Sequence, residues 1–458
     1  MPTRKRRRPH KTPQQRARRC AAALFLLLVC LLCCRKKAEG PAPTPTALPA
    51  FEVQAVPSGV CAATQLYLYG THLGLCGQLP VGETFPDKLT LLWDCGVRQT
   101  VWPLQYAQSD EASVTVFSLS DDLNGGADLE ALPEDSGTLT VCAEYADGSR
   151  RDWPLQAAPC CAGDLPFCYY TVTHGGMNRR ITLTTEKGLF TGESLRLQCA
   201  AAALPEDVYD IILDAGHGGA DCGCLSPDGR YRESDLTLSV TLLLKARLEQ
   251  LGLKVGLTRD GSEAADAPMA RTTYDEDGRI NRIGASHAKL CLSVHCNSYA
   301  GSDAPGGVQI YLPTAVEPSF AALLAQKIAD TAGTVLSPMA GFRVTDGVYC
   351  RTFSAADIIA VGEDAQRLGY DPYPVSESTN YYYILRETGG RVTGAFMDGR
   401  SPAFGVNRYY DSGVGVETYL CELGYLSAED DLQRLLTAPE SYADGMAAAI
   451  AARFGLDS

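Results

Sequence analysis

Residues 208–258 read VYDIILDAGHGGADCGCLSPDGRYRESDLTLSVTLLLKARLEQLGLKVGLT, and they set the fold of the second half of the chain. Tyr209–Leu213 is a short apolar run of strand character. It breaks at Asp214-Ala215-Gly216-His217-Gly218-Gly219, where the glycines let the backbone turn sharply. From Asp235 to Leu251, the residues Leu236, Val240, Leu243, Leu244, Leu248 and Leu251 recur at helical spacing, and Gly252 follows as a stop. Lys254–Thr258 returns to strand character.

The alternation continues toward the C-terminus. A helical stretch at Ile280–Ala288 leads into the strand Lys289–Val294, which ends at His295. Gly307–Leu312 reads as a strand and Phe320–Thr331 as a helix. Glu417–Glu422 is strand-like and runs into Gly424-Tyr425-Leu426-Ser427, with helices at Glu429–Leu436 and Tyr442–Arg453. Strands alternating with helices predict an α/β domain with a mostly parallel sheet over residues 205–458.

Four chemistry-bearing residues fall in one predicted place. His217 lies just past one strand and His295 just past another, while Glu422 stands near the end of a third. Sites in open α/β sheets form outside the carboxyl ends of the strands. Glu233, at the mouth of the first helix, can fold back over the same edge. A catalytic zinc takes three protein ligands of His and carboxylate type and leaves the fourth position to water. A further carboxylate then takes the water proton and delivers it to the leaving amine. Taken singly, each residue has a plainer account. Glu233 suits a helix N-terminus with Ser234 as cap, Glu422 a strand edge, and the histidines satisfied loops.

Taken together, the residues follow a family pattern. The stretches 208–258, 289–298 (KLCLSVHCNS) and 414–436 (VGVETYLCELGYLSAEDDLQRLL) resemble the zinc-dependent N-acetylmuramoyl-L-alanine amidases. The family motifs are D-P-G-H-G-G, E-x-x-L, S-I-H-x-N and E-x-G-F-L-S-N. The resemblance implies an α/β fold, a Zn2+ cofactor and cleavage of the amide between muramic acid and L-Ala in peptidoglycan. It implies His217, Glu233 and His295 as metal ligands and Glu422 as the catalytic carboxylate. It covers residues 206–312 and 405–454. Ala215 replaces the usual Pro and Ala428 the usual Asn. The family arginine preceding His295 corresponds to Arg271 or Arg279. Two rival functions stay open: another zinc peptidoglycan peptidase of carboxypeptidase type, and a non-catalytic wall-binding or regulatory protein.

Residues 338–413 exceed the family core and are rich in Tyr and Gly. They are expected to be an insertion, either a hairpin pairing Tyr381–Leu385 with Arg391–Met397 or a cleft wall or lid. In some relatives such a segment blocks the zinc until a partner removes it, so an unidentified activator protein belongs to the expectation.

Residues 51–204 read as a β-rich, sandwich-like module of short strands. A near-repeat runs through it: Gly96-Val-Arg-Gln-Thr-Val-Trp102-Pro-Leu-Gln and Gly148-Ser-Arg-Arg-Asp-Trp153-Pro-Leu-Gln. Each Pro is expected to end or edge its strand. All three tryptophans (Trp93, Trp102, Trp153) lie here, with core packing favoured over a glycan-stacking surface. His72 and His174 are expected to be solvated loop residues.

Residues 1–37 hold 12 of the 40 Lys and Arg and no Asp or Glu, leaving 28 basic against 54 acidic side chains beyond them. So acidic a body excludes a nucleic-acid partner. The basic head adjoins the apolar run Cys20–Cys34, which as a helix spans about 22 Å against a hydrocarbon core of about 30 Å. We read residues 1–37 as a cytoplasmic head with a signal anchor or signal peptide, and residues 38–50 as a Pro/Ala/Thr linker. The expected location is therefore the cell membrane with the folded part outside the cytoplasm, or secretion to the cell wall if the segment is cleaved. The cysteines number eight in residues 51–204 and six beyond, even counts compatible with disulfides.

Overall fold

The computed structural model describes residues 59–79, 85–109, 114–162, 165–172, 178–188, 192–267, 273–301, 304–369, 374–396 and 406–456. The basic head, apolar run, linker and His174 lie outside them. Among the described residues no helix is long and apolar enough to cross a membrane.

Among its described residues the β-rich module contains thirteen strands: β1 (Ala62–Tyr69), β2 (His72–Leu79), β3 (Lys88–Asp94), β4 (Gln99–Pro103), β5 (Gln105–Gln108), β6 (Thr115–Ser118), β7 (Ala127–Asp128), β8 (Asp135–Glu144), β9 (Arg150–Pro154), β10 (Gln156–Ala157), β11 (Phe167–Val172), β12 (Asn178–Gly188) and β13 (Gly192–Ala201). One sheet runs β10-β1-β2-β6-β5 with β7 beside β2; the other runs β11-β12-β13-β8-β3-β4 with β9 beside β8. Leu66, Leu75 and Phe117 of the first sheet and Leu91, Trp93, Val141 and Leu197 of the second belong to one buried cluster. Two sheets enclosing a single core is the arrangement expected of a sandwich.

The sequence repeat is a structural repeat. Leu91 faces both Val141 and Trp102, and Val141 faces Trp153. In each copy Pro ends a strand of the second sheet, the next Leu enters the core, and the next Gln starts a strand of the first sheet. Leu104 N donates to Leu89 O at 3.0 Å and Leu155 N to Leu139 O at 2.9 Å, the same bond in both copies. Trp93 is fully buried and its Nε1 donates to Leu197 O at 3.0 Å. Trp102 and Trp153 pack against the margin of the same core. His72 departs from expectation: it opens β2, bonds Thr71 Oγ1 at 2.9 Å, and burial holds its imidazole below the ordinary pKa.

The second sheet-bearing unit runs β15-β14-β16-β21-β17-β19-β18. Its strands are β14 (Ile211–Ala215), β15 (Val255–Leu257), β16 (Leu290–Asn297), β17 (Gln309–Tyr311), β18 (Arg343–Thr345), β19 (Val348–Tyr349) and β21 (Glu417–Tyr425), with β20 (Val414–Gly415) preceding the last. β15, β14, β16 and β21 are mutually parallel; β17 is antiparallel to β21 and parallel to β19, and β18 is antiparallel to β19. The helices Glu233–Gln250, Ser319–Ala332 and Pro439–Phe454 bury Leu244, Leu324 and Ile450 against Leu213, Leu292 and Leu423 on one face. The helices Arg279–Ala285 and Tyr383–Glu387 bury Ile280, Ile283, Ile384 and Leu385 against Ile212, Cys291 and Leu420 on the other.

Residues 338–413 therefore correct the expectation. The predicted hairpin is absent: Tyr383–Glu387 is a helix and Gly390–Thr393 a 3-10 turn. Residues 384–390 are buried, which a solvent-facing ribbon would not be. Arg386 donates to Asn380 O at 2.8 Å and pairs with Glu387 at 3.0 Å, while Asn407 Nδ2 donates to Glu387 O at 3.0 Å. Much of the segment is a packed layer of the domain rather than an appendage.

The two units are joined tightly. β20 pairs in parallel with β1, so the strand leading into β21 extends the module's first sheet. Leu123 N donates to Ala315 O at 2.7 Å and Glu317 N to Asn124 Oδ1 at 2.9 Å. Glu417 is fully buried at the start of β21, where Arg453 grips it through bonds of 2.9 and 2.6 Å and Tyr419 Oη donates to it. A Cβ at Gly70 would lie 2.6 Å from Glu417 Oε2, so the module's β1–β2 turn needs glycine there.

Nine of the fourteen cysteines among the described residues are buried as small apolar side chains. Cys222 and Cys224 are unbridged; Cys224 packs against the core instead.

Candidate metal centre

The site forms at the carboxyl edge of the parallel strands, as the topology rule requires. β14 ends at Ala215 and releases the turn that carries His217. His295 lies within β16, two residues before its end, and is in register with Glu422 on β21. Glu233 is the first residue of its helix, after Arg232 as N-cap. One ligand atom from each of His217, Glu233 and His295 falls within 4.8 Å of the others.

Glu233 is the hub. Oε1 lies 3.0 Å from His217 Nε2 and 3.0 Å from His295 Nδ1, and accepts from Cys296 N at 3.0 Å. Oε2 accepts from Cys224 N at 2.9 Å. Burial works against its charge, but both histidines outweigh this and hold the carboxyl well below its usual range. Burial likewise works against a charged His217, yet Glu233 and Asp221 push it up to about 10. Asp221 Oδ2 sits 2.8 Å from His217 Nδ1, which turns Nε2 toward Glu233.

Glycine is required where the site is most crowded. A Cβ at Gly216 would lie 2.4 Å from the His295 ring, and one at Gly223 would lie 2.5 Å from Glu233 Oε2. His217 itself sits at φ +64, in the left-handed region.

Glu422 is buried, which excludes the strand-edge account. Its Oε2 has no hydrogen-bond partner among the described residues. Burial first, and the Glu233 charge second, push its carboxyl well above the usual range. A His/Glu/His cluster with an orphaned carboxyl oxygen beside it is a donor set that fits a zinc ion and its water.

The structure places Arg279 against the site; Arg271 lies outside the described residues. Arg279 Nη2 donates to His217 O at 2.6 Å, and Nη1 pairs with Asp214 at 3.1 Å. Asp214 also accepts from Ser293 Oγ and Thr258 Oγ1, each at 2.6 Å. Sequence reasoning missed Asp214 and Asp221 as supports. Asp221 sits four residues after His217 in an irregular turn, where no periodicity marks which side chain faces back.

An α/β domain with three residues able to hold a metal ion and a buried carboxylate at its carboxyl edge has the layout of a metallohydrolase. Residues 211–389 match the family model for N-acetylmuramoyl-L-alanine amidase, and this stretch is a domain of that family. The match runs through most of the segment expected to be an insertion and ends before Glu422. A germination-specific N-acetylmuramoyl-L-alanine amidase of Bacillus subtilis is 31% identical over 114 residues, 24% of this chain and 47% of that protein. The amidase AmiC of Neisseria meningitidis is 31% identical over 162 residues, 35% of each chain. The catalytic domain of the amidase CwlV from Bacillus (Paenibacillus) polymyxa is 18% identical, with a TM-score of 0.35 over 54% of this chain and 98% of that one. The chain thus spans less than half the length of these two curated relatives.

Proposed function

We propose that the chain is a zinc-dependent N-acetylmuramoyl-L-alanine amidase that cleaves peptidoglycan between muramic acid and L-Ala. The observation carrying this reading is the convergence of His217, Glu233 and His295 within 4.8 Å, beside the unpartnered Glu422 oxygen. The family match and the two curated amidases support the same bond.

In this reading His217, Glu233 and His295 hold the zinc. Bound there, the ion would polarise the scissile carbonyl and acidify water. Glu422 takes a proton from the attacking water and returns it to the departing L-Ala nitrogen, so the C–N bond breaks into a carboxylic acid and an amine. Asp221 fixes which imidazole nitrogen of His217 faces the ligand cluster. The apolar run Cys20–Cys34 and the acidic body support a membrane-tethered enzyme working outside the cytoplasm, or a secreted one after cleavage. An activator protein is part of the proposal only through the family resemblance.

The test is digestion of peptidoglycan by the zinc-loaded full chain, with new termini identified by mass spectrometry. Free L-Ala amines are expected. Release of D-Ala alone would instead favour the carboxypeptidase. Binding to sacculi without any new terminus, with zinc present, would favour a non-catalytic wall protein.

A further inference from the structure

Arg259 follows β15 and is 9% exposed, yet its guanidinium touches two separate elements of the site. Nε donates to Ala215 O at 2.8 Å, and Nη2 donates to Gly216 O at 3.0 Å. The same Nη2 donates to Ser234 O at 2.6 Å, in the first turn of the helix that Glu233 opens. Thr237 Oγ1 lies 3.3 Å from Nη2 and itself donates to Gly216 O at 2.9 Å. Nη1 pairs with Glu263 at 2.9 Å.

The turn bearing His217 and the helix bearing Glu233 are thus tied through one planar cation. Arg279 takes the next carbonyl, that of His217. Three successive carbonyls, of residues 215, 216 and 217, each accept from a guanidinium. These bonds hold the turn in which His217 sits at φ +64, in the left-handed region that a non-glycine residue seldom adopts. A lysine ammonium is a point donor and cannot span Ala215, Ser234 and Glu263 at once. Gly218 is part of the same fit, since a Cβ there would lie 2.9 Å from both Arg259 Cδ and Glu263 Oε1.

We propose that Arg259, seated on Glu263, is a positioning residue of the metal site: it fixes the His217 turn against the Glu233 helix and so preforms two of the three ligands. The proposal rests on the zinc-site reading above. Its consequence is slow metal release rather than faster chemistry, because Arg259 touches neither the ligand atoms nor Glu422.

The test compares zinc affinity and zinc release to a chromophoric chelator in the full-length wild type and Arg259→Lys, with melting curves of both zinc-free proteins. Loss of a support behind metal ligands typically lowers affinity about 10- to 100-fold, and that loss is expected with faster release. Saturating zinc should restore most of kcat and leave KM unchanged. Wild-type affinity and release in Arg259→Lys overturn the proposal, whatever its melting temperature. Should Arg259→Lys not fold, Glu263→Gln decides. It removes the carboxylate at a partly exposed position, and unchanged zinc affinity in it also overturns the proposal. A wild type that takes up no zinc overturns the metal-site reading itself, and the clamp with it.

Discussion

At the residue scale, Glu233 and Glu422 are both buried carboxyls at one edge, and their surroundings push them in opposite directions. Glu233 is satisfied on both oxygens by two backbone amides and two imidazoles; Glu422 has an oxygen with no partner among the described residues. That divergence is what the proposed roles, Glu233 as ligand and Glu422 as acid–base residue, require. Glu422→Gln should keep bound zinc, measured by metal analysis, while kcat falls about 10²- to 10⁴-fold in the digestion assay. Loss of zinc from that variant would reassign Glu422 as a ligand. Asp221→Ala frees the His217 ring and should weaken zinc binding about 10- to 100-fold by chelator competition.

Asp214 adds a pH dependence at the same scale. Burial works to raise its carboxyl, but Arg279, Ser293 and Thr258 outweigh burial and hold it below the ordinary value. A depressed acid stabilises the fold above the unfolded pKa of about 3.9, and that contribution is lost as pH falls through the folded value. Denaturant melts should show stability declining below about pH 4, with a shallower decline in Asp214→Asn. Equal slopes would mean that other carboxylates carry the acid transition.

At the scale of elements, two devices recur. The Pro-Leu-Gln crossover appears twice, and each leucine plugs the core between the sheets as the strand changes sheet. Leu155 is fully buried, so Leu155→Ala should cost about 2–5 kcal/mol in chemical denaturation, with no change in the zinc site. The second device is the glycine-rich turn after β14. Helix, strand and turn characters around it are legible because hydrophobic periodicity is a local signal. The stretch 381–397 is not legible in that way. Its tyrosines and branched residues suit a strand, but packing of Ile384 and Leu385 onto the sheet, and of Arg386 onto Asn380, makes Tyr383–Glu387 within it a helix.

At the scale of the whole molecule, the β-rich module is not a separate bead. It docks where β21 begins, five residues before Glu422, at the amino end of the sheet and away from the metal edge. The buried Glu417–Arg453 pair stands at this junction, and removing one partner of such a pair costs about 3–5 kcal/mol. Glu417→Gln should therefore lower stability by that order in calorimetry. The wild type should unfold in one transition, because the two units share strand pairing and buried charge. Two well-separated wild-type transitions would show that the units fold independently.

The sequence by itself determined the α/β alternation, the β-rich module and its repeat, and four residues matching an amidase pattern. These are short-range signals: period, turn chemistry, and motifs in order along the chain. Tertiary structure alone decided that Arg279 lies against the His217 turn, that Asp221 and Asp214 stand behind the His/Glu/His cluster, and that Cys222 and Cys224 are unbridged. It also put a helix where the hairpin was expected and joined the module to β21. Those outcomes depend on contacts between segments tens to hundreds of residues apart, where local propensity is overruled by burial and by the need to pair every buried charge.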